Sequence, residues 1–70
     1  MSNQYMPYAT ALSLLQEHGV DADTAHQAAS MLCEICGTTV KDVWYWSVIF
    51  DMDGKEAMLN QLSQRWQKAV

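Results

Sequence analysis

Two cysteines and two histidines are the residues of this chain whose types and spacing could bind a metal. Cys33 and Cys36 form a C-x-x-C pair, and His18 and His26 precede it. Two thiolates and two imidazoles are a common ligand set for structural zinc. Zinc sites usually take their cysteine pair from a tight knuckle, whereas this pair falls in a helical pattern. We therefore expect two reduced cysteines that pack as small apolar residues, and no metal or cofactor; zinc binding and redox chemistry are the alternatives.

Other motifs that mark ion-binding or catalytic sites are incomplete. Asp51-Met-Asp-Gly resembles the start of a calcium loop, but Leu59 and Asn60 fall where the last acidic ligand of such a loop belongs. The sequence has neither a glycine-rich phosphate loop nor a G-x-S-x-G elbow. We expect a turn at residues 51–54 and a protein that is not an enzyme.

The segment VWYWSVIF, residues 43–50, is apolar around its whole circumference as a helix, apart from Ser47. Such a helix needs burial on all sides, yet a domain of 70 residues buries only about 60% of the surface of its unfolded chain. Part of the segment should therefore stay exposed, and exposed Trp and Tyr side chains mark protein interfaces. The predicted protein-binding residues are the aromatic anchors Trp44, Tyr45 and Trp46, with Lys41 and Asp42 at a polar rim. The alternative is a core helix of a monomer.

The spacing of residues 32–46 also matches a helix-turn-helix. Cys33 takes the place of the small residue in the first helix, Gly37 that of the turn glycine, and Val43 and Trp46 those of two apolar anchors. DNA recognition depends on Arg, Lys, Asn or Gln at base edges and on several cations at phosphates, and the second helix offers little of either. DNA binding is the alternative function, and its candidate residues are Thr39, Lys41 and Tyr45.

Two helices are predicted before Gly37. Pro7 suits the first turn of a helix, whose apolar stripe ends near Gly19, a good C-terminal cap. A second helix opens at Val20 or Asp21, with Asp21 or Asp23 accepting its unpaired backbone N–H groups. The two apolar faces comprise Tyr8, Ala11, Leu12, Leu14 and Leu15 in the first helix, and Ala25, Ala28, Ala29, Leu32 and Cys36 in the second.

Two more helices are predicted after Gly37. Thr39 and Asp42 have the spacing of a capping box, so a third helix should start at Val40. Residues 43–50 are rich in β-branched and aromatic residues and could also be a strand, but a single strand would leave its backbone groups unpaired. Residues 55–70 show the clearest amphipathic pattern, with an apolar face of Met58, Leu59, Leu62 and Trp66.

Charge and composition narrow the class of partner. Eight acidic and four basic residues give a net charge of −4, which opposes nonspecific attraction to nucleic acids and to anionic membranes. No apolar run reaches the roughly 20 residues that span a bilayer, and the first residues have no pattern of a secretory signal or transit peptide. We expect a cytoplasmic protein without a membrane association.

These patterns predict an all-α protein, a small bundle of about four short helices with a helix-turn-helix-like central pair. Residues 1–70 should form one helical domain, with residues 1–6 as a flexible N-terminal arm. The predicted function is that of a small regulatory or inhibitory protein without catalytic activity, which binds another protein or itself, as a homodimer, through the aromatic helix.

Overall fold

The computed structural model describes residues 4–69 and forms four helices: α1 (Tyr8–Glu17), α2 (Ala22–Leu32), α3 (Val40–Asp53) and α4 (Lys55–Ala69). The prediction of an all-α fold with four short helices is confirmed, and residues 43–50 are helical rather than a strand. The molecule measures 34 × 23 × 18 Å. No helix in this part of the chain combines the length and the apolar character that crossing a membrane requires.

Each helix packs against two others. Helix α1 contacts α2 and α3, and α4 contacts the same two helices from the opposite side. The Cα atoms of α2 and α3 nowhere come within 8 Å of each other, so these two helices are diagonal neighbours. The central pair therefore keeps the order of a helix-turn-helix but does not pack as one.

The core lies between the four helices. Its buried side chains come from all four helices, from the connections between helices at Val20 and Ile35, and from Met6 before α1. Half-buried Leu12, Leu14, Leu59 and Trp66 pack around its edge. The buried apolar residues are Met6, Ala11, Leu15, Val20, Ala25, Ala28, Ala29, Leu32, Ile35, Val43, Trp46, Met58 and Leu62.

The predicted N-terminal caps of α2 and α3 are both formed. The Asp21 carboxylate accepts the Thr24 backbone N–H at 3.1 Å. This bond favours the ionised carboxylate and lowers the pKa of Asp21, helped by the Thr24 hydroxyl. In α3, the Asp42 carboxylate accepts the Thr39 backbone N–H at 2.7 Å, and the Thr39 hydroxyl accepts the Asp42 backbone N–H at 3.4 Å. This pair is a complete capping box.

The junction between α3 and α4 corrects the prediction of a turn at residues 51–54. Helix α3 continues to Asp53, and Gly54 alone separates it from α4. Gly54 has φ 94° and ψ 170°, a backbone conformation that is almost exclusive to glycine. Its N–H donates to the Phe50 carbonyl at 3.0 Å, and its carbonyl accepts the Met58 N–H at 3.1 Å. One glycine therefore both ends α3 and starts α4.

The connection between α2 and α3 corrects two further predictions. Helix α2 ends at Leu32, earlier than Gly37, and Ile35 rather than Cys36 enters the core; Cys36 is exposed and Cys33 is half-buried. The Thr38 hydroxyl donates toward the Leu32 and Ile35 carbonyls at 3.2 and 2.9 Å. The hydroxyl thus serves the Leu32 carbonyl, which the end of the helix leaves without a helical partner, and one carbonyl of the connection itself.

The segment before α1 is packed against this connection. The Gly37 N–H donates to the Gln4 carbonyl at 2.9 Å, Tyr5 forms an isolated antiparallel bridge with Cys36, and Met6 is buried. Residues 4–6 therefore differ from the flexible arm that we expected. Residues 1–3 of that predicted arm lie outside the described residues.

Candidate protein-binding face of helix α3

Helix α3 carries a line of exposed side chains along the face that no other helix covers. Val40, Trp44, Tyr45 and Met52 keep 58, 57, 52 and 76% of their surface exposed. Val48 is half-buried, and Lys41 and Asp51 are exposed. We call this set the α3 stripe: Val40, Lys41, Trp44, Tyr45, Val48, Asp51 and Met52.

The spacing of the α3 stripe follows from helix geometry. Its members recur at intervals of three and four residues, so they share one face of the helix. Helix α3 has 14 residues and is therefore about 21 Å long at a rise of 1.5 Å per residue. Val43, Trp46 and Ser47 occupy the opposite face and are buried. The helix thus has two apolar faces, one in the core and one in solvent.

The aromatic residues divide between these two faces. Trp46, predicted as a third aromatic anchor, is only 8% exposed and belongs to the core, so the structure does not bring it together with Trp44 and Tyr45 on the exposed face. Trp44 and Tyr45 are exposed as predicted. The Tyr45 ring meets the Trp46 ring edge-on, with centroids 5.1 Å apart, an arrangement that aromatic quadrupoles favour. The buried indole of Trp46 therefore packs against the exposed ring of Tyr45.

The two predicted rim residues have different surroundings. Lys41 is exposed on the second residue of α3. Asp42 is half-buried, and its carboxylate is taken up by the Thr39 backbone N–H and hydroxyl, at 2.7 and 3.0 Å. Asp42 therefore holds the start of α3 in place, which is a structural task. Asp51 lies on the α3 stripe and takes the place of Asp42 as the acidic residue at the rim of this surface.

Two grooves border the α3 stripe. One, of about 280 Å³, lies between the end of α1 and the middle of α3; it is lined by His18, Trp44, Ser47, Val48 and Asp51. The other, of about 260 Å³, lies where the N-terminal segment meets the start of α3, and Tyr5, Pro7 and Val40 contribute to it. Both are open hollows on the surface, so they suit side chains of a docking protein better than an enclosed small molecule.

Four stripe residues were missed from the sequence. Val40, Val48 and Met52 form, together with Trp44, a series spaced by four residues. Asp51 stands three residues after Val48. That spacing was visible in the sequence. It did not separate the exposed face from the core face, because residues 43–50 are apolar on both.

The structure brings the predicted DNA-binding residues together at the start of α3. The connection before them does not have the length that a helix-turn-helix requires. Thr39 is the N-cap, and Lys41 and Tyr45 are exposed one turn apart. The connection before them spans residues 33–39, whereas a helix-turn-helix has about 3 to 4 residues there. Lys41 is the one cation among these three residues.

The cysteines and histidines are not gathered into a metal site. Within residues 4–69, no three side chains of His, Cys, Asp or Glu are placed to hold a metal ion. His26 instead hydrogen-bonds with Tyr8 through Nδ1, and the two rings stack with centroids 5.9 Å apart. The Cys33 thiol donates to the Ser30 carbonyl at 3.3 Å. The alternative of a zinc site built from these residues is therefore not supported by the arrangement.

Comparisons of the chain with protein-family models, with curated proteins and with solved structures found no match.

Proposed function

We propose that this protein is a non-catalytic binding module, a small regulatory or inhibitory protein, and that the α3 stripe is the surface through which it binds protein. The observation that carries the proposal is the simultaneous exposure of Trp44, Tyr45, Val40 and Met52 on one helix face, at more than half of each side chain's surface. Contiguous apolar surface of this kind is uncommon outside interaction sites. Trp and Tyr are also the residues most enriched at binding hot spots.

Core packing and the N-terminal cap both hold α3 in position. Val43 and Trp46 anchor α3 in the core, and the capping box fixes its first turn. The stripe is therefore presented on a rigid element, and a partner does not have to order it on binding. Binding surfaces that are already ordered lose less conformational entropy on association.

The groove beside Trp44 supplies shape to this surface. Its volume of about 280 Å³ is room for one or two side chains of a partner. Its lining mixes the Trp44 ring and Val48 with the polar groups of His18 and Asp51. A partner with an apolar side chain flanked by a donor would fit this lining, since Asp51 accepts hydrogen bonds.

A cytoplasmic location forms part of the same proposal. Both cysteines are unpaired thiols, as is usual in a reducing compartment.

The proposal is tested by photo-crosslinking in cells that express the full chain. A benzophenone amino acid at Tyr45 should crosslink to a protein chain, whereas the same amino acid at Gln61, exposed on α4, should not. Trp44→Ala should weaken the Tyr45 crosslink about fivefold or more, because loss of a hot-spot residue costs more than about 1 to 2 kcal/mol. Equal crosslinking at both positions, or none at Tyr45, would contradict the proposal.

DNA binding is the weaker candidate. The seven residues between α2 and α3, the single cation at the start of α3 and the net charge of −4 all count against an element that enters the major groove.

A further inference from the structure

The α3 stripe has a symmetry in its sequence. Three pairs of stripe residues stand equally far on either side of residue 46: Trp44 and Val48 at two positions, Lys41 and Asp51 at five, and Val40 and Met52 at six. An antiparallel copy of the same helix, related by a two-fold axis near residue 46, would bring the two members of each of these three pairs beside each other. Apolar residues would then face apolar residues, and a cation would face an anion. A two-fold interface requires this self-complementarity.

The charged pair is placed badly for a lone helix and well for an antiparallel pair. Lys41 lies in the first turn of α3 and Asp51 in the last. The helix dipole disfavours a cation at the first turn and an anion at the last. In an antiparallel pair, Lys41 lies next to the C-terminal end of the other α3, and Asp51 next to its N-terminal end. Each charge then meets an opposite charge and a favourable dipole end.

A parallel pairing has the opposite result. It would place Lys41 beside the Lys41 of the second copy and Asp51 beside its Asp51, with the dipoles aligned. Helices pack with their axes about 8 to 10 Å apart, so side chains at equal heights are close enough for these repulsions to matter. The charge pattern of the stripe thus selects one orientation.

From this pattern we infer that the partner of the α3 stripe is a second copy of this chain, docked antiparallel with Lys41 of each copy beside Asp51 of the other. The inference rests on the proposed function, because it names the occupant of the same surface. The aromatic residues lie near the centre of this interface, and the charges lie toward its two ends, next to Val40 and Met52. Trp44 of one copy packs on Val48 of the other, close to the axis, where hot spots concentrate.

The small size of the stripe favours a weak pair. A standard interface takes about 800 Å² from each partner, which is roughly a fifth of the 4497 Å² surface of this protein. One face of one helix supplies less than that. The net charge of −4 on each copy adds repulsion that salt screens. We therefore expect a weak dimer near physiological ionic strength, with a Kd in the micromolar range.

Analytical ultracentrifugation of the purified full chain tests the inference through a charge exchange. Lys41→Asp alone places two carboxylates beside each other at both ends of the interface, and Asp51→Lys alone places two ammonium groups there. Each variant should therefore dimerise about tenfold more weakly than the parent chain. An equimolar mixture of the two variants should form a heterodimer as strong as the parent dimer, because both of its charged contacts then join a carboxylate of one variant to an ammonium group of the other. Lys68→Asp and Glu56→Lys, exposed on α4, change charge away from the stripe and should leave the dimer unchanged.

The outcomes separate this inference from the proposed function. A purified chain that stays monomeric at about 500 μM, well above the expected Kd, overturns self-association, and a crosslink from Tyr45 to a different protein would still support the binding module. A dimer that is insensitive to the charge exchange overturns the antiparallel arrangement. Circular dichroism of each variant confirms that the helices are intact, so that a loss of dimer is not a loss of fold.

Discussion

The exposed ring of Tyr45 rests edge-on against the buried ring of Trp46, its neighbour in sequence, with centroids 5.1 Å apart. Two consecutive aromatic residues therefore belong to different parts of the molecule, one to the α3 stripe and the other to the core. Substitutions at the two positions should separate binding from stability.

Trp46→Ala should destabilise the fold severely, because it removes a large side chain from the core, at a cost of about 3 to 5 kcal/mol. A single core in a chain below about 70 to 80 residues rarely supplies more stability than that. Tyr45→Ala should cost about 0.5 to 1.5 kcal/mol through the lost ring contact, and Trp44→Ala less than about 0.5 kcal/mol. Urea unfolding followed by circular dichroism measures all three. Equal stabilities of the Trp44 and Trp46 variants would contradict the division.

The aromatic segment shows what the sequence could and could not predict. Four helices followed from apolar spacing, and the Thr39–Asp42 capping box from its motif, because both are local patterns. The exposure of Trp44 and Tyr45 and the burial of Trp46 depend on where α1 and α4 lie. The segment is apolar on every side, so its own periodicity does not say which side faces the core.

The α2–α3 connection shows a second limit. A helical pattern from Asp21 to Gly37 placed Cys36 on an inner face, but the chain leaves the helix at Leu32 and turns Ile35 into the core instead. The contacts that fix this path come from distant residues. Gln4 and Tyr5 meet Gly37 and Cys36, and the Trp66 indole N–H donates to the Glu34 carboxylate at 2.7 Å.

Gly54→Ala should destabilise the protein by about 1 to 3 kcal/mol, because φ 94° and ψ 170° form a region that residues with a Cβ rarely enter. The cost is conformational, since a Cβ added at Gly54 would meet no atom within 4 Å apart from those of its two chain neighbours. Asp53→Ala, at the adjacent exposed helical position, is the matched control and should change the free energy of unfolding by less than about 0.5 kcal/mol. Thermal or urea unfolding of both variants measures this change in the free energy of unfolding. If Gly54→Ala is as stable as the parent chain, this backbone conformation is dispensable.

Thr39→Ala should cost about 1 kcal/mol, because the start of α3 loses a cap. Thr39→Ser retains the hydroxyl and should remain within about 0.5 kcal/mol of the parent chain. Thr39 and Asp42 satisfy each other, so the double variant Thr39→Ala with Asp42→Ala should be less destabilised than the sum of the single variants. Strict additivity in urea unfolding would mean that the two halves of the box act independently.

The Asp21 cap should make stability depend on pH on the acid side. Hydrogen bonds from Thr24 lower the pKa of Asp21 below its ordinary value in the folded protein. A carboxyl group with a lowered folded pKa adds stability that is complete above the unfolded pKa and is lost as the pH falls through the folded value. Asp21→Asn keeps an oxygen that caps the helix but does not titrate. Its free energy of unfolding, measured from about pH 7 down to about pH 2, should fall less steeply than that of the parent chain; identical slopes would exclude the cap as a source of acid sensitivity.

Random duplex DNA should not bind this protein with the steep salt dependence of a DNA-binding domain. Neutralised phosphates release counterions, so true binders lose affinity sharply as salt rises, and the start of α3 provides Lys41 as its cation. Fluorescence anisotropy of labelled duplex at low and then moderate salt measures this. Salt-sensitive binding that Lys41→Ala weakens would revive the helix-turn-helix alternative.

The four helices form a ring in the order α1, α2, α4 and α3. In this ring the chain consists of two halves of similar size, α1 with α2 and α3 with α4. Each half is a pair of helices adjacent in sequence, and each buries its remaining apolar face only against the other half, through the contacts of α1 with α3 and of α2 with α4. The exposed face of α3 takes no part in those contacts. The chain is therefore suited to being divided within residues 33–39: two fragments, each unable to complete a core alone, would reassemble by association and carry the α3 stripe on one of them.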